Sequence, residues 1–573
     1  MTVAQYLVNK LVDFGATDVF GVPGGVILDF VYEAQKQVRL HLNYHEQASG
    51  FAALGYAQSG RSLGVCYATR GPGFTNLLTP MADAYYCSVP VLFITAHSKK
   101  YEKSDLFLQC EQEFDTVSMC QDITKIAARI ESVKNAAQII DEALDATLHE
   151  RRGPVFLDFL SGIFNAEAEI EDTRNTEKFV RGDDQPISFR RIAELIADGI
   201  AHAEYPVLLI GDGISQTKTN DAACDLADKL NIPVLSSRFA QSIAINSPLY
   251  FGFIGSHGTA YANKILSCAD LIISVGNRIH FNRASKTFAP IANNARFIRV
   301  DVDENELNNP LPNSSCLLCD LRILLCKDFI DSIKTLINGK SQASLRSWVE
   351  RCRTIKAEMC NVMRIPHLRS MVQLLQTAQR GRIENICVDV GNHEFWISYA
   401  YEMAFSENRI APKAEISGVP CLLYSKSFGV LGCAIPKSTG VYQKTGKPVL
   451  CLTGDQGFMF NVQELHFISK SNLPIVVVVL NNHASGMIRD LEKKKYGFFS
   501  KTTPEDGYYP PNIEQLASAF DIAYHFYNTD ENPAFNFDFS NIDKPIIIEL
   551  QYDDAADKLP HLPTGNLPWD FNY

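Results

Sequence analysis

Gly454-Asp455-Gln456-Gly457 is followed, twenty-odd residues later, by Asn481-Asn482, and the pattern between them decides the fold. Residues 448–453 (PVLCLT) read as a buried strand ending at Gly454. Residues 462–470 (VQELHFISK) have helical spacing, and residues 474–480 (PIVVVVL) are a second buried strand. A strand–helix–strand unit this short crosses over right-handed and sets its two strands parallel in one sheet. Asp455 and Asn482 then fall at the carboxyl ends of neighbouring strands, the edge at which open α/β sheets bind ligands. A carboxylate, an amide oxygen and a free backbone carbonyl, for which Ala484 is placed, form a hard-oxygen set suited to Mg²⁺ holding a diphosphate. Two ordinary strand-end turns are the alternative reading of the same residues.

Near the amino terminus, Tyr44-His45-Glu46-Gln47 follows a strand-like stretch at 38–42 and precedes an Ala/Gly-rich helix at 48–59, of the kind that packs closely. Residues 64–69 (GVCYAT) form a strand that runs into Arg70-Gly71-Pro72-Gly73-Phe74-Thr75-Asn76, a tight turn opening a helix. Taken alone, a Glu at a strand end is a solvated cap and Gly-Pro-Gly is a turn. In the middle of the chain, Gly211-Asp212-Gly213 directly after a strand is a weak dinucleotide signal.

In this order the motifs resemble the thiamine-diphosphate (ThDP) enzyme superfamily, and most closely its acetohydroxyacid (acetolactate) synthase branch. The resemblance runs through residues 20–25 (FGVPGG, with Pro23 and Gly24), 45–47 (HEQ), 71–76 (GPGFTN) and 82–90 (ADAYYCSVP). It continues through 252–263 (GFIGSHGTAYAN), 276–283 (GNRIHFNR) and 301–307 (DVDENEL). Residues 389–396 (DVGNHEFW), 429–436 (GVLGCAIP) and 486–489 (GMIR) complete it.

The resemblance implies an α/β chain of three doubly wound parallel-sheet domains. Residues 1–164 would bind the pyrimidine of ThDP, 187–330 would be a middle domain of FAD-binding type, and 366–551 would bind diphosphate and Mg²⁺, leaving 552–573 as a tail. It also implies roles. Breaking a carbon–carbon bond beside a carbonyl needs an electron sink that no side chain offers and a thiazolium ring does. Asp455, Asn482 and Ala484 would hold Mg²⁺, with Gly391, Asn392, His393, Gly454, Gln456, Gly457 and Met487 around the diphosphate and thiazolium. Pro23, Gly24, Gly71, Pro72, Asn76 and Gly429 would contact the cofactor. Leu431 would be the apolar wedge that bends it. Glu46 would share a proton with the aminopyrimidine ring, and Gln112 and Arg283 would face the substrates. For FAD the matching positions are Gly211, Gly213, His257, Gly258, Thr259, Arg278, Asp301, Asp303 and Asp320. A flavin-free relic of that site is the alternative. In the superfamily the glutamate and the metal site come from different subunits, which implies a homodimer or homotetramer with the site at the dimer interface.

Composition agrees. The 573 residues hold about three domains, and 46% hydrophobic with 21% charged residues is a globular balance. A net charge of −12 argues against nucleic acid or an anionic membrane as partner. Fifteen cysteines without paired zinc spacing read as reduced thiols in the cytoplasm. Residues 1–14, with Lys10 and Asp13 in an amphipathic pattern, read as a helix and not a signal peptide, and no apolar run is long enough for a membrane span. Residues 165–186 read as a charged linker, 344–358 as a solvated bridging helix, and the residues after Gln551 as a strap or cover.

Departures from the synthase pattern cluster around the acceptor pocket: Glu111 stands for a Phe, Ser256 for a Met and Leu491 for a Trp. Gln456 stands for the metal motif's usual third glycine and Arg70 for the usual Ser before Gly-Pro-Gly, and neither replacement touches the metal ligands. The expected reaction is decarboxylation of a 2-oxo acid, pyruvate first, with transfer of the two-carbon unit to a second carbonyl. A bulkier acceptor such as a nucleotide-linked keto-sugar, simple decarboxylation, and a non-catalytic member of the fold are the alternatives.

Overall fold

The computed structural model describes residues 1–60, 62–98, 112, 114–167, 189–217, 219–245, 247–279, 294–309, 311–337, 342–359, 366–406 and 419–555. Glu111, Arg283, most of the 165–186 stretch and the tail from 556 lie outside the described residues.

The first sheet holds β1 (Asp18–Gly21), β2 (Arg39–Leu42), β3 (Gly64–Tyr67), β4 (Val91–His97), β5 (Ile126–Ile130) and β6 (Val155–Leu160). The second holds β7 (Pro206–Ile210), β8 (Val234–Ser237), β9 (Tyr250–Ile254), β10 (Leu271–Val275), β11 (Arg296–Asp301) and β12 (Ser314–Leu318). The third holds β13 (Asn385–Val388), β14 (Cys421–Tyr424), β15 (Val449–Gly454), β16 (Ile475–Asn481), β17 (Ala523–Asn528) and β18 (Ile546–Gln551). Every pairing between these strands is parallel. The expected α/β class of three doubly wound parallel sheets is therefore the fold observed.

Outer sheets run β2-β1-β3-β4-β6-β5 and β14-β13-β15-β16-β18-β17, the same order once each is counted from its own first strand. The first and third sheets thus share one topology. The middle sheet runs β12-β11-β10-β7-β8-β9, the dinucleotide-binding order read from its edge. Strands β15 and β16 are buried along their whole length, which is why their sequences are nearly continuous apolar runs without alternation.

One expectation gains an element and one changes. The helix expected over 462–470 is found at Glu464–Lys470, and a further short helix, Asp455–Phe460, precedes it, so Asp455 opens a helix directly on the strand end. The Gln342–Met359 helix is not solvated all round: Leu345, Trp348, Val349 and Cys352 are buried, and Trp348 Nε1 donates to the Pro206 carbonyl at 3.0 Å.

The first and third domains meet where the Glu46–Gly60 helix crosses the Ala434–Thr445 helix. Gly55 and Gly440 permit this approach, since a Cβ on either would fall 2.2 Å from Lys437 O or 1.8 Å from Ala52 O. Beside the crossing, Lys437 Nζ and Asp83 pair at 2.9 Å, both fully buried.

Candidate active site

Strand β15 delivers Gly454 and Asp455, and β16 its neighbour delivers Asn481 and Asn482, with Gly454 and Leu480 in register. Both strands point their carboxyl ends at a cavity of about 110 Å³ whose lining falls wholly between Val390 and Tyr552. Gly391, Asn392, His393, Leu431, Gly454, Asp455, Gln456, Gly457, Asn482, Ala484 and Met487 all line it. Asp455 is buried, and burial pushes its carboxyl up to about 6. Tyr508 donates its hydroxyl to Asp455 Oδ2 at 2.9 Å. Asn482 Oδ1 accepts the Ala484 N–H at 3.3 Å.

His393 occupies a slot between two glycines: a Cβ on Gly391 would fall 2.8 Å from its ring, and one on Gly454 would fall 3.2 Å away. Burial pushes this imidazole down to about 4, so it is neutral, and its Nε2 is buried without a hydrogen-bond partner. A buried carboxylate, an amide oxygen and an orphaned imidazole nitrogen on one cavity suit a cation carrying a phosphorylated ligand. Leu431 is flanked by Gly429 (φ 73°) and Gly432 (φ 76°), whose left-handed backbone carries the loop past the cavity.

Glu46 is the first residue of its helix, half-buried at the carboxyl edge of the first sheet. Asn76 Nδ2 donates to Glu46 Oε2 at 2.9 Å, and a Cβ on Gly73 would fall 3.6 Å from Glu46 Oε1. Gly71 (φ 64°) and Pro72 open the helix that carries Asn76, and Gln112 packs against Gly71. Pro23 and Gly24 follow β1, with Gly24 pressed on Thr69. None of Gly24, Glu46, Gly71, Pro72 and Asn76 is among the described residues that line the cavity between Val390 and Tyr552.

A larger cleft of about 770 Å³ lies where the three domains meet. Gly213, Arg278, Asp301 and Asp320 line it, and so do Ser256, Gly429 and Met487. Gly211 packs on the Gly276 backbone, where a Cβ would fall 2.1 Å from Gly276 O. His257, Gly258, Thr259 and Asp303 fall outside the lining: His257 stacks on Phe395 at 4.0 Å, and Asp303 pairs with Arg151 at 2.9 Å. Arginines and strand-end carboxylates around a cleft of this size, on a sheet of this order, fit the phosphates and ribose of a dinucleotide.

Three sequence families match the chain in order: "Thiamine pyrophosphate enzyme, N-terminal TPP binding domain" over residues 1–119, "central domain" over 193–327, and "C-terminal TPP binding domain" over 389–548. The acetolactate synthase isozyme 2 large subunit of Escherichia coli K12 is 30% identical, covering 99% of this chain and 98% of its own. The chain belongs to the thiamine pyrophosphate enzyme family, in its acetolactate synthase-like branch. The acetolactate synthase large subunit of Lactococcus lactis is 28% identical over 98% of this chain and 94% of its own, and a probable one from Methanococcus aeolicus is 27% identical over 99% and 94%.

Around this thiamine pyrophosphate enzyme's cavity stand residues that sequence reasoning did not single out. Tyr508 reaches Asp455 from 53 residues away, and Asp554 reaches Asn482 from 72. Neither sits in a motif, and no periodicity marks them. Arg238 pairs with buried Glu394 at 2.9 Å on the wall of the large cleft, with Phe239 and Phe395 against its guanidinium. Among the described residues no helix is long and apolar enough to cross a membrane, and the thirteen described cysteines are all free thiols.

Proposed function

We propose that this enzyme decarboxylates a 2-oxo acid, pyruvate first, and passes the two-carbon unit to a second carbonyl, a reading supported by relatives that are named acetolactate synthases. The observation that carries the reading is the convergence of Asp455, Asn482, His393 and Leu431 on one cavity of a chain related to those enzymes over its full length. Asp455, Asn482 and the Ala484 carbonyl would hold Mg²⁺ and through it the diphosphate. His393, with Gly391, Gly454, Gln456 and Gly457, would line the phosphate side. Bound ThDP supplies the electron sink for the charge left when carbon dioxide departs. Leu431 would press the cofactor's rings together, and Glu46, held by Asn76, would hold the proton at the aminopyrimidine.

Glu46 lies outside the metal cavity of its own chain, which supports a site completed by a second copy across a homodimer interface. Exposed Leu42 and Tyr44 beside Glu46, and exposed Phe460 and Ile488 beside the metal cavity, are surfaces such a copy would cover. FAD would occupy the large cleft, with Arg278 on its phosphates and Asp301 or Asp320 on a ribose. Reduced thiols support a cytoplasmic setting.

A bulkier, polyhydroxylated acceptor is the second reading, favoured by Ser256, whose small side chain lines the large cleft, and by Leu491, which is solvent-exposed. The experiment incubates the protein with pyruvate, ThDP and Mg²⁺, with and without candidate acceptors, and identifies products by mass. Rapid acetolactate formation from pyruvate alone supports the first reading and defeats the second. Slow pyruvate loss accelerated by a keto-sugar does the reverse, and no pyruvate consumption under any condition ends both.

A further inference from the structure

Asn482 has two chemically opposite ends on its amide, and only the oxygen can bind a cation. Its Nδ2 donates to Asp554 Oδ1 at 3.1 Å, while its Oδ1 accepts the Ala484 N–H at 3.3 Å. A flipped amide would set oxygen against the Asp554 carboxylate and NH₂ against the Ala484 N–H. One orientation alone satisfies both neighbours, and it keeps the second lone pair of Oδ1 available.

Asp554 is able to do this because it is itself fixed. It is 2% exposed, and Arg489 Nη2, on a residue 5% exposed, donates to the same Oδ1 at 2.8 Å. Asn392 Nδ2 approaches Asp554 Oδ2 at 3.4 Å and donates to Asp490 at 2.8 Å. Gly486 makes room for this convergence, since a Cβ there would fall 2.5 Å from Asn482 Nδ2 and 3.1 Å from Asn392 Nδ2. The chain enters the cluster in a set register, with Tyr552 N–H donating to the Asn481 carbonyl at 3.1 Å.

We propose that Asp554, held by Arg489, is a positioning residue for the cation: it fixes the Asn482 amide with its oxygen toward the metal cavity, so that the chain just beyond the last strand is part of the metal site. The inference rests on the reading of Asp455 and Asn482 as cation ligands. Outer partners of metal ligands commonly govern metal affinity about 10–100-fold.

The test is calorimetric titration of Mg²⁺ into protein saturated with ThDP, alongside thermal melting without either. Asp554→Leu keeps about the size of the side chain and leaves Arg489 its pair with Asp490 (2.8 Å), but accepts no hydrogen bond from Asn482. Its Mg²⁺ affinity is expected to fall about 10–100-fold. Asn482→Asp alone is expected to weaken Mg²⁺ binding, because two carboxylates then face each other. In the double variant Asn482→Asp/Asp554→Leu, both ends of residue 482 are oxygens and none needs orienting, so affinity returns toward that of the unmodified protein. A purely structural Asp554 predicts no such rescue. Affinity in Asp554→Leu within about twofold of the unmodified protein, a double variant no better than that single one, or tighter binding by Asn482→Asp alone overturns the inference and leaves the proposed function standing. Failure of the unmodified protein to bind Mg²⁺ with ThDP overturns both.

Discussion

His367 lies between the rings of Trp396 at 4.8 Å and Tyr552 at 4.9 Å, and burial pushes its imidazole from 6.5 down to about 4, against the pull of Asp554 and Asp553. Its folded value lies below its unfolded one, so as pH falls the unfolded chain takes up the proton first. The resulting stability is present above pH 6.5 and is lost as pH falls toward 4, at about 1.4 kcal/mol per unit and about 3 kcal/mol in all. His367→Phe removes this proton uptake. Urea-unfolding midpoints measured from pH 7 to 4.5 are expected to decline less steeply in the variant than in the unmodified protein. Parallel curves would show that folding does not lower the His367 imidazole from its ordinary value.

At the scale of elements, the Lys437–Asp83 pair ties the Ala434–Thr445 helix to the Pro72–Cys87 helix, and Ser425 donates to the same Asp83 at 2.7 Å. Neither charge reaches water, so removing one leaves the other buried and alone. Lys437→Met should cost about 3–5 kcal/mol, while Lys437→Met/Asp83→Asn should recover most of the loss. Chemical unfolding of the three proteins decides it: if the double variant is as unstable as the single, the pair is not the source of the loss. The Ala/Gly-rich composition of the Glu46–Gly60 helix was readable as close packing. Its partner was not, because the contact with residues 434–445 spans nearly four hundred positions.

For the whole molecule, the separation of Glu46 from the cavity that Asp455 lines predicts complementation, on the proposed reading of a site shared between two copies. Glu46→Gln and Asp455→Ala should each be inactive, with only the first retaining ThDP. Mixed by co-expression, randomly paired dimers should recover about a quarter of the activity, because half the dimers are mixed and one of the two sites in each draws an intact Glu46 from the Asp455→Ala chain and an intact Asp455 from the Glu46→Gln chain. No recovery in a mixture shown to form mixed dimers would place both residues in a site built by one chain.

Sequence alone determined the class of this protein and the residues at its strand ends. Uninterrupted apolar runs such as 474–480 declare strands buried on both faces, and a polar residue directly after such a run is carried to the ligand-binding edge by the crossover rule. That is why Asp455 and Asn482 were legible, whereas the helix beginning at Asp455 itself was not, since one short turn leaves no periodicity. Tertiary structure alone decided what surrounds them. Tyr508 and Asp554 are single polar residues whose neighbours are set by how the connection from β16 to β17 and the chain after β18 return across the sheet, and a contact over 53 or 72 residues has no local signature. The same holds for the grouping of residues around the cavity: residue types specify the chemistry, but which of them face one cavity depends on packing that no short stretch encodes.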